Sequence, residues 1–153
     1  MMVAVSGRPA SQTPSFEVSK VCEAQDANGD NAVTITLQNV GDVDLNRDWG
    51  PFEQPETQAV IGWVETQEAA GRELRLMIDF HSTWEDLFYT PPKQDDPPDL
   101  VTRWLDASRA RLPDFPFKHE ANPVSDQPNA KNYFYTSRGI PAITYEVGDE
   151  TAR

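Results

Sequence analysis

The chain has 153 residues, 38% hydrophobic and 25% charged, which is enough for one domain with its own core. A formal net charge of −12 argues against a nucleic-acid partner, because such a surface repels phosphates. No apolar run is as long as a membrane span, and the single cysteine, Cys22, excludes an internal disulfide or a cysteine-built zinc knuckle.

Residues 1–41 read as an atypical and partly irregular N-terminal segment. The opening lacks a continuous apolar stretch after a basic start, so no signal peptide is expected, and the compartment stays open. Up to residue 32 the chain is polar and without periodicity, and it is expected to be loose or peripherally packed. Within it, "DANGDNAVTITL" (26–37) sets Asp26, Asn28 and Asp30 at the spacing of a calcium loop. The sixth position is Asn31 where that loop needs glycine, and the twelfth is Leu37 where it needs a bidentate glutamate, so a turn is the better reading.

"AVTITLQNV" (32–40) has the alternation of a strand, with Val33, Ile35 and Leu37 on one face. From Pro55 a helix is expected to about residue 70. Pro55 and Glu56 suit its first turn, Ala59, Val60, Trp63 and Val64 form its apolar stripe, and Gly71 stops it. "ELRLMIDFHS" (73–82) reads as a strand with Leu74, Leu76, Ile78 and Phe80 facing one way and Arg75, Met77, Asp79 and His81 the other. A second amphipathic helix follows through Leu100, Val101, Trp104, Leu105 and Leu112, with Asp96 at its start and Pro113 at its end. The chain then reads as irregular to about residue 132, before a last apolar strand, "AITYEV" (142–147), whose charged member is Glu146.

Strands alternating with helices imply an α/β fold with a mostly parallel mixed sheet flanked by helices. Ligands bind such sheets at the carboxyl ends of their strands. His81 and Glu146 fall at strand ends, and Asn46-Arg47 precedes a helix, so an imidazole, a carboxylate and a guanidinium are expected to meet at one rim.

Four segments, "VDLNRDW" (43–49), "QPET" (54–57), "IDFHST" (78–83) and "ITYEVGDET" (143–151), together resemble the zinc metallocarboxypeptidases of the carboxypeptidase A and B type. The resemblance runs over residues 42–153 and implies an incomplete carboxypeptidase-like fold in that portion. It implies that His81 is a zinc ligand, and that Asn46 and Arg47 hold the terminal carboxylate of a peptide substrate. Ser82 would help position the peptide through its backbone, and Glu146 would take the proton of a metal-bound water and pass it to the leaving amine. The implied cofactor is Zn2+, which acidifies that water and polarises the scissile carbonyl. The implied partner is a peptide with a free C-terminal carboxylate, recognised by the planar fork of arginine.

The family's upstream His-x-x-Glu pair has no counterpart, and the other histidine, His119, follows His81 in an exposed-looking segment. Arg8 is the only arginine before Arg47, and Tyr133 and Tyr135 are the nearest replacements for the family's mobile tyrosine. Three protein ligands are usual for catalytic zinc, so the chain alone is expected to be weak or inactive, with its first third replaced, truncated or read from another start. Lys131 lies near where the family builds its specificity pocket, which would favour an acidic C-terminal residue. Two other readings stay open. One is an N-acyl-amino-acid hydrolase of the aspartoacylase and desuccinylase type, which shares similar "DLNR" signatures. The other is a metal-free pseudoenzyme that binds peptide C-termini.

Overall fold

The computed structural model describes residues 2–8, 16–19, 32–38, 43–92, 99–115 and 117–149, with Ile35 the one side chain described in the first three strands. Among the described residues, seven strands form one sheet: β1 (Met2–Arg8), β2 (Phe16–Ser19), β3 (Ala32–Gln38), β4 (Leu76–Thr83), β5 (Leu87–Thr90), β6 (His119–Ala121) and β7 (Ala142–Gly148). Their order is β2-β3-β1-β4-β7-β5-β6. The four central strands β3, β1, β4 and β7 are mutually parallel, while β2 and β5 run antiparallel to β3 and β7. The expected mostly parallel mixed sheet is therefore present.

The two faces carry α1 (Pro55–Ala69), α2 (Leu100–Arg111) and α3 (Ala130–Arg138). Strand alternation sorts the core. Met77 and Ala142 pack with Val60 and Val64 of α1 and with Ala130 and Phe134 of α3. Leu76, Ile78 and Ile143 pack on the other face with Val101 and Leu105 of α2. Helices on both faces leave Leu76, Met77 and Ile78 of β4 and Ala142 and Ile143 of β7 buried from either side, which is why those strands open as apolar runs.

Helix α1 lies where its pattern places it, with Val60 and Val64 fully buried. Its first turn is closed from outside the helix. The buried Asp48 carboxylate accepts the Glu53 and Gln54 N–H groups, each at 2.9 Å, and the Thr57 hydroxyl. Gly71 takes a left-handed φ of 76° just past the C-cap, as a helix stop requires.

Several expectations are corrected. Strand β1 is interior, paired with both β3 and β4, so the opening segment is neither loose nor peripheral there. A short extended run satisfies its backbone groups completely once two strands flank it. Strand β4 starts at Leu76, so Leu74 precedes the alternation and joins the cluster on the Met77 face. Helix α2 begins after Asp99, which is left-handed and makes no side-chain cap; Asp96 lies outside the described residues, as do residues 26–31 of the calcium-like loop. Leu112 is the C-cap, more than half exposed, and no part of a buried stripe.

The stretch read as irregular contains β6 and the start of α3, and β5 forms between β4 and α2 where no element was expected. The Asn129 side chain caps α3 by accepting the Asn132 N–H at 2.9 Å, and left-handed Gly139 ends it. Among the described residues no helix is long and apolar enough to cross a membrane.

Candidate functional site

Strands β4 and β7 are parallel neighbours, so their carboxyl ends share one rim. In their register His81 stands opposite Glu146, and parallel pairing turns the two side chains to the same face. That face carries α1 and α3. Both residues are half-buried.

The imidazole is held from below. His81 Nε2 lies 2.8 Å from Asp79 Oδ2, and Asp79 is 5% exposed. Two residues apart on one strand, the pair necessarily shares a face. The Asp79 hydrogen bond raises the His81 pKa above 6.5; burial opposes it, and the charges of Asp79, Glu146 and Asp44 add to the rise.

Asn46 reaches the same ring from a 3-10 turn, Leu45–Arg47, capped by Asp44, whose Oδ1 accepts the Asn46 N–H at 2.9 Å. Its Oδ1 accepts the Ala130 N–H at 3.1 Å, at the start of α3. That bond fixes the amide so that Nδ2 faces His81 Nε2 at 3.4 Å. Two donors cannot share one nitrogen productively. The 2.8 Å contact with Asp79 is the hydrogen bond, so Nε2 carries the proton and Asn46 Nδ2 is a van der Waals neighbour. In the neutral ring the lone pair then sits on Nδ1.

Arg47 belongs to the same turn. Its Nη1 donates to the Asn46 carbonyl at 2.9 Å, and its Nε lies 3.9 Å from Asp44 Oδ2. Its side chain is 56% exposed, so the guanidinium is open to a ligand. The structure thus brings His81, Glu146 and Asn46 together, with Arg47 on the adjoining turn. Ser82 is exposed and alternates to the face opposite His81, which leaves only its backbone for the part expected of it.

Other residues singled out above lie elsewhere. His119 is exposed on β6, with its Nδ1 3.0 Å from Arg109 Nη2. Tyr133 packs against Trp49 and Phe52, and its hydroxyl accepts from Arg138 Nε at 3.3 Å. Lys131 is buried, which lowers its pKa, and its Nζ donates to the Asn122 carbonyl at 3.0 Å and to Asn122 Oδ1.

Asp79 was placed on the His81 face by strand alternation but given no role; the i, i+2 spacing was the available signal. Asn129 is a short polar side chain just before a helix, the usual signature of an N-terminal cap, whereas Asp48 lies well ahead of Pro55 and carries no such local signal.

The donors present decide whether zinc fits. A ligating histidine normally gives its second ring N–H to a carboxylate, as His81 gives Nε2–H to Asp79. Among the described residues, however, no group of three His, Cys, Asp or Glu side chains is placed to hold a metal ion. A lone imidazole is not a catalytic zinc site. The described residues do not fit the cofactor.

No family model matches the chain, and no curated protein matches it. Among solved structures it is similar to a metallo-carboxypeptidase from Burkholderia cenocepacia, at 15% identity and a TM-score of 0.56. That likeness covers 78% of this chain and 36% of the other, so the chain spans about a third of the carboxypeptidase's length. A succinylglutamate desuccinylase from Chromobacterium violaceum is similar at 15% identity and a TM-score of 0.47, over 80% of this chain and 47% of that one. The chain has the carboxypeptidase-like α/β fold.

Proposed function

We propose that this chain is the carboxylate-recognising and proton-handling portion of a carboxypeptidase-like hydrolase. It binds peptides through their free C-terminal carboxylate and, by itself, turns them over weakly or not at all. Arg47 supplies a fork of donors for two parallel hydrogen bonds to the terminal carboxylate. The Asn46 amide stands beside it, with its donor group turned toward the rim. Glu146 is the group that accepts a proton, beside an imidazole whose orientation Asp79 holds. No hydrolytic step is assigned to zinc, because the described donors do not hold it.

The observation that carries this reading is the in-register pairing of His81 with Glu146 beside Asn46, on the rim where α/β sheets bind ligands. Calorimetry with one peptide in two forms tests it. The free-carboxylate form binds with or without chelator, the C-terminally amidated form does not, and Arg47→Ala weakens binding by roughly tenfold or more. Equal affinity for the two forms would overturn the proposal. Tighter binding of an N-acyl aspartate than of any peptide would move the substrate class to N-acyl amino acids.

A further inference from the structure

On the sheet face opposite the rim, beneath the C-terminal half of α2, lies an open-mouthed cavity of about 260 Å³, with the exposed Leu112 at its edge. Its walls are aromatic and braced by one another. Phe88 stacks on Tyr145 with ring centroids 4.2 Å apart and planes 6° from parallel, and on Phe117 at 5.7 Å and 22°. Trp104 meets Phe88 edge-on at 5.6 Å, and Phe80 meets Tyr145 at 5.7 Å. Rings that pack on each other cannot swing inward to fill the space without losing those contacts.

Both hydroxyls in the lining already donate to partners within the protein. The Tyr145 hydroxyl donates to Asp86 Oδ1 at 2.5 Å, and Asp86 also accepts the Gly148 N–H at 3.2 Å. The Ser108 hydroxyl donates to the Trp104 carbonyl of its own helix at 2.8 Å. A guest gains no donated hydrogen bond from these two hydroxyls, so a polar atom that it turns toward the aromatic walls stays unsatisfied. An apolar cavity of about 150 Å³ holds benzene. At 260 Å³ this one has room for two fused rings.

We infer that this cavity is a binding site for a small, neutral, flat aromatic molecule without hydrogen-bonding groups. It is separate from the carboxylate rim. Phe80 and Tyr145 line the cavity while the residues after them, His81 and Glu146, face the other side of the sheet. The inference therefore does not depend on the proposed function.

Naphthalene, 2-naphthoate and the full chain test it, by calorimetry together with the tryptophan side-chain NMR signals. Naphthalene is expected to bind one to one and to shift the Trp104 indole signal. 2-Naphthoate, the same rings carrying a charge, binds at least roughly tenfold more weakly. Ser108→Leu projects a side chain into the cavity and abolishes binding, whereas Ser108→Ala keeps it, because that hydroxyl serves the helix and not the guest. Absence of saturable naphthalene binding, undiminished binding in Ser108→Leu, or a preference for the naphthoate overturns the inference. Circular dichroism of both variants shows whether a loss of binding is only a loss of fold.

Discussion

Asn46 and Ala130, 84 residues apart in sequence, are joined by one hydrogen bond that decides how the candidate site is wired. By engaging Asn46 Oδ1, the Ala130 N–H turns the amide nitrogen toward His81 and keeps the carbonyl away from it. Asn46→Asp keeps the acceptor for Ala130 but exchanges the nitrogen for a negative oxygen facing the ring. The His81 pKa is expected to rise further, because a carboxylate favours the imidazolium. An NMR titration of the His81 ring checks this, and an unchanged or lowered value counts against the geometry.

Glu146→Gln has the opposite effect. It removes one of the charges that raise the His81 pKa while leaving the register of β4 and β7 intact, so the value falls toward 6.5. Peptide binding persists, and whatever hydrolysis the protein shows is lost, since proton acceptance goes with the carboxylate.

Stability follows pH through the same imidazole. A pKa above 6.5 in the folded chain means that His81 contributes fully below about pH 6.5, and the contribution fades as pH rises through the folded value. Urea unfolding across that window is expected to show falling stability for the native chain. Asp79→Asn, which keeps the side-chain shape but removes the charge, flattens that fall. A slope identical in both proteins assigns the pH dependence to other groups.

Asp48 contributes at the acid end. Burial alone pushes its carboxyl up, but the Thr57 hydroxyl and the Glu53 and Gln54 N–H groups together hold it below 3.8. Its stabilisation is therefore present above about pH 3.8 and is lost as pH falls through the lower folded value. Asp48→Ala leaves those donors without their acceptor and is expected to destabilise the chain by about 2–3 kcal/mol near neutral pH. Urea unfolding with an unchanged m-value measures it, and a loss below about 0.5 kcal/mol contradicts the capping role.

Much of this was readable from residues alone. Helix α1 and the strands β4 and β7 carry long, regular apolar patterns, and those three elements place the rim. The His81–Glu146 meeting follows from parallel strands ending together. Helix α3 escapes pattern reading because it opens in "DQPNAK" and mixes aromatic with polar residues, so its fully buried apolar positions are only Ala130 and Phe134. Its end signals, Asn129 and Gly139, were nevertheless present. Strands β5 and β6 are four and three residues long, too short for periodicity to register. Interior placement of β1 comes from its two partner strands, a tertiary relationship that local pattern does not contain.

Metal analysis of the purified chain separates the zinc expectation from the donors actually placed. One imidazole with its Nε2 proton committed to Asp79 offers a single nitrogen, so zinc is expected to wash out on dialysis to well below one equivalent. His81→Ala then changes the residual metal without changing peptide binding. One retained equivalent, lost in His81→Ala, overturns this expectation.

Helix α3 is fastened at both ends. Near its C-terminus Arg138 bridges to Glu65 and Glu68 of α1, at 3.2 and 2.5 Å, and at its first residue the Ala130 N–H grips Asn46. Such a strut transmits displacement along its length. The clasp at Arg138 and the amide beside the imidazole therefore sit at opposite ends of one nine-residue helix.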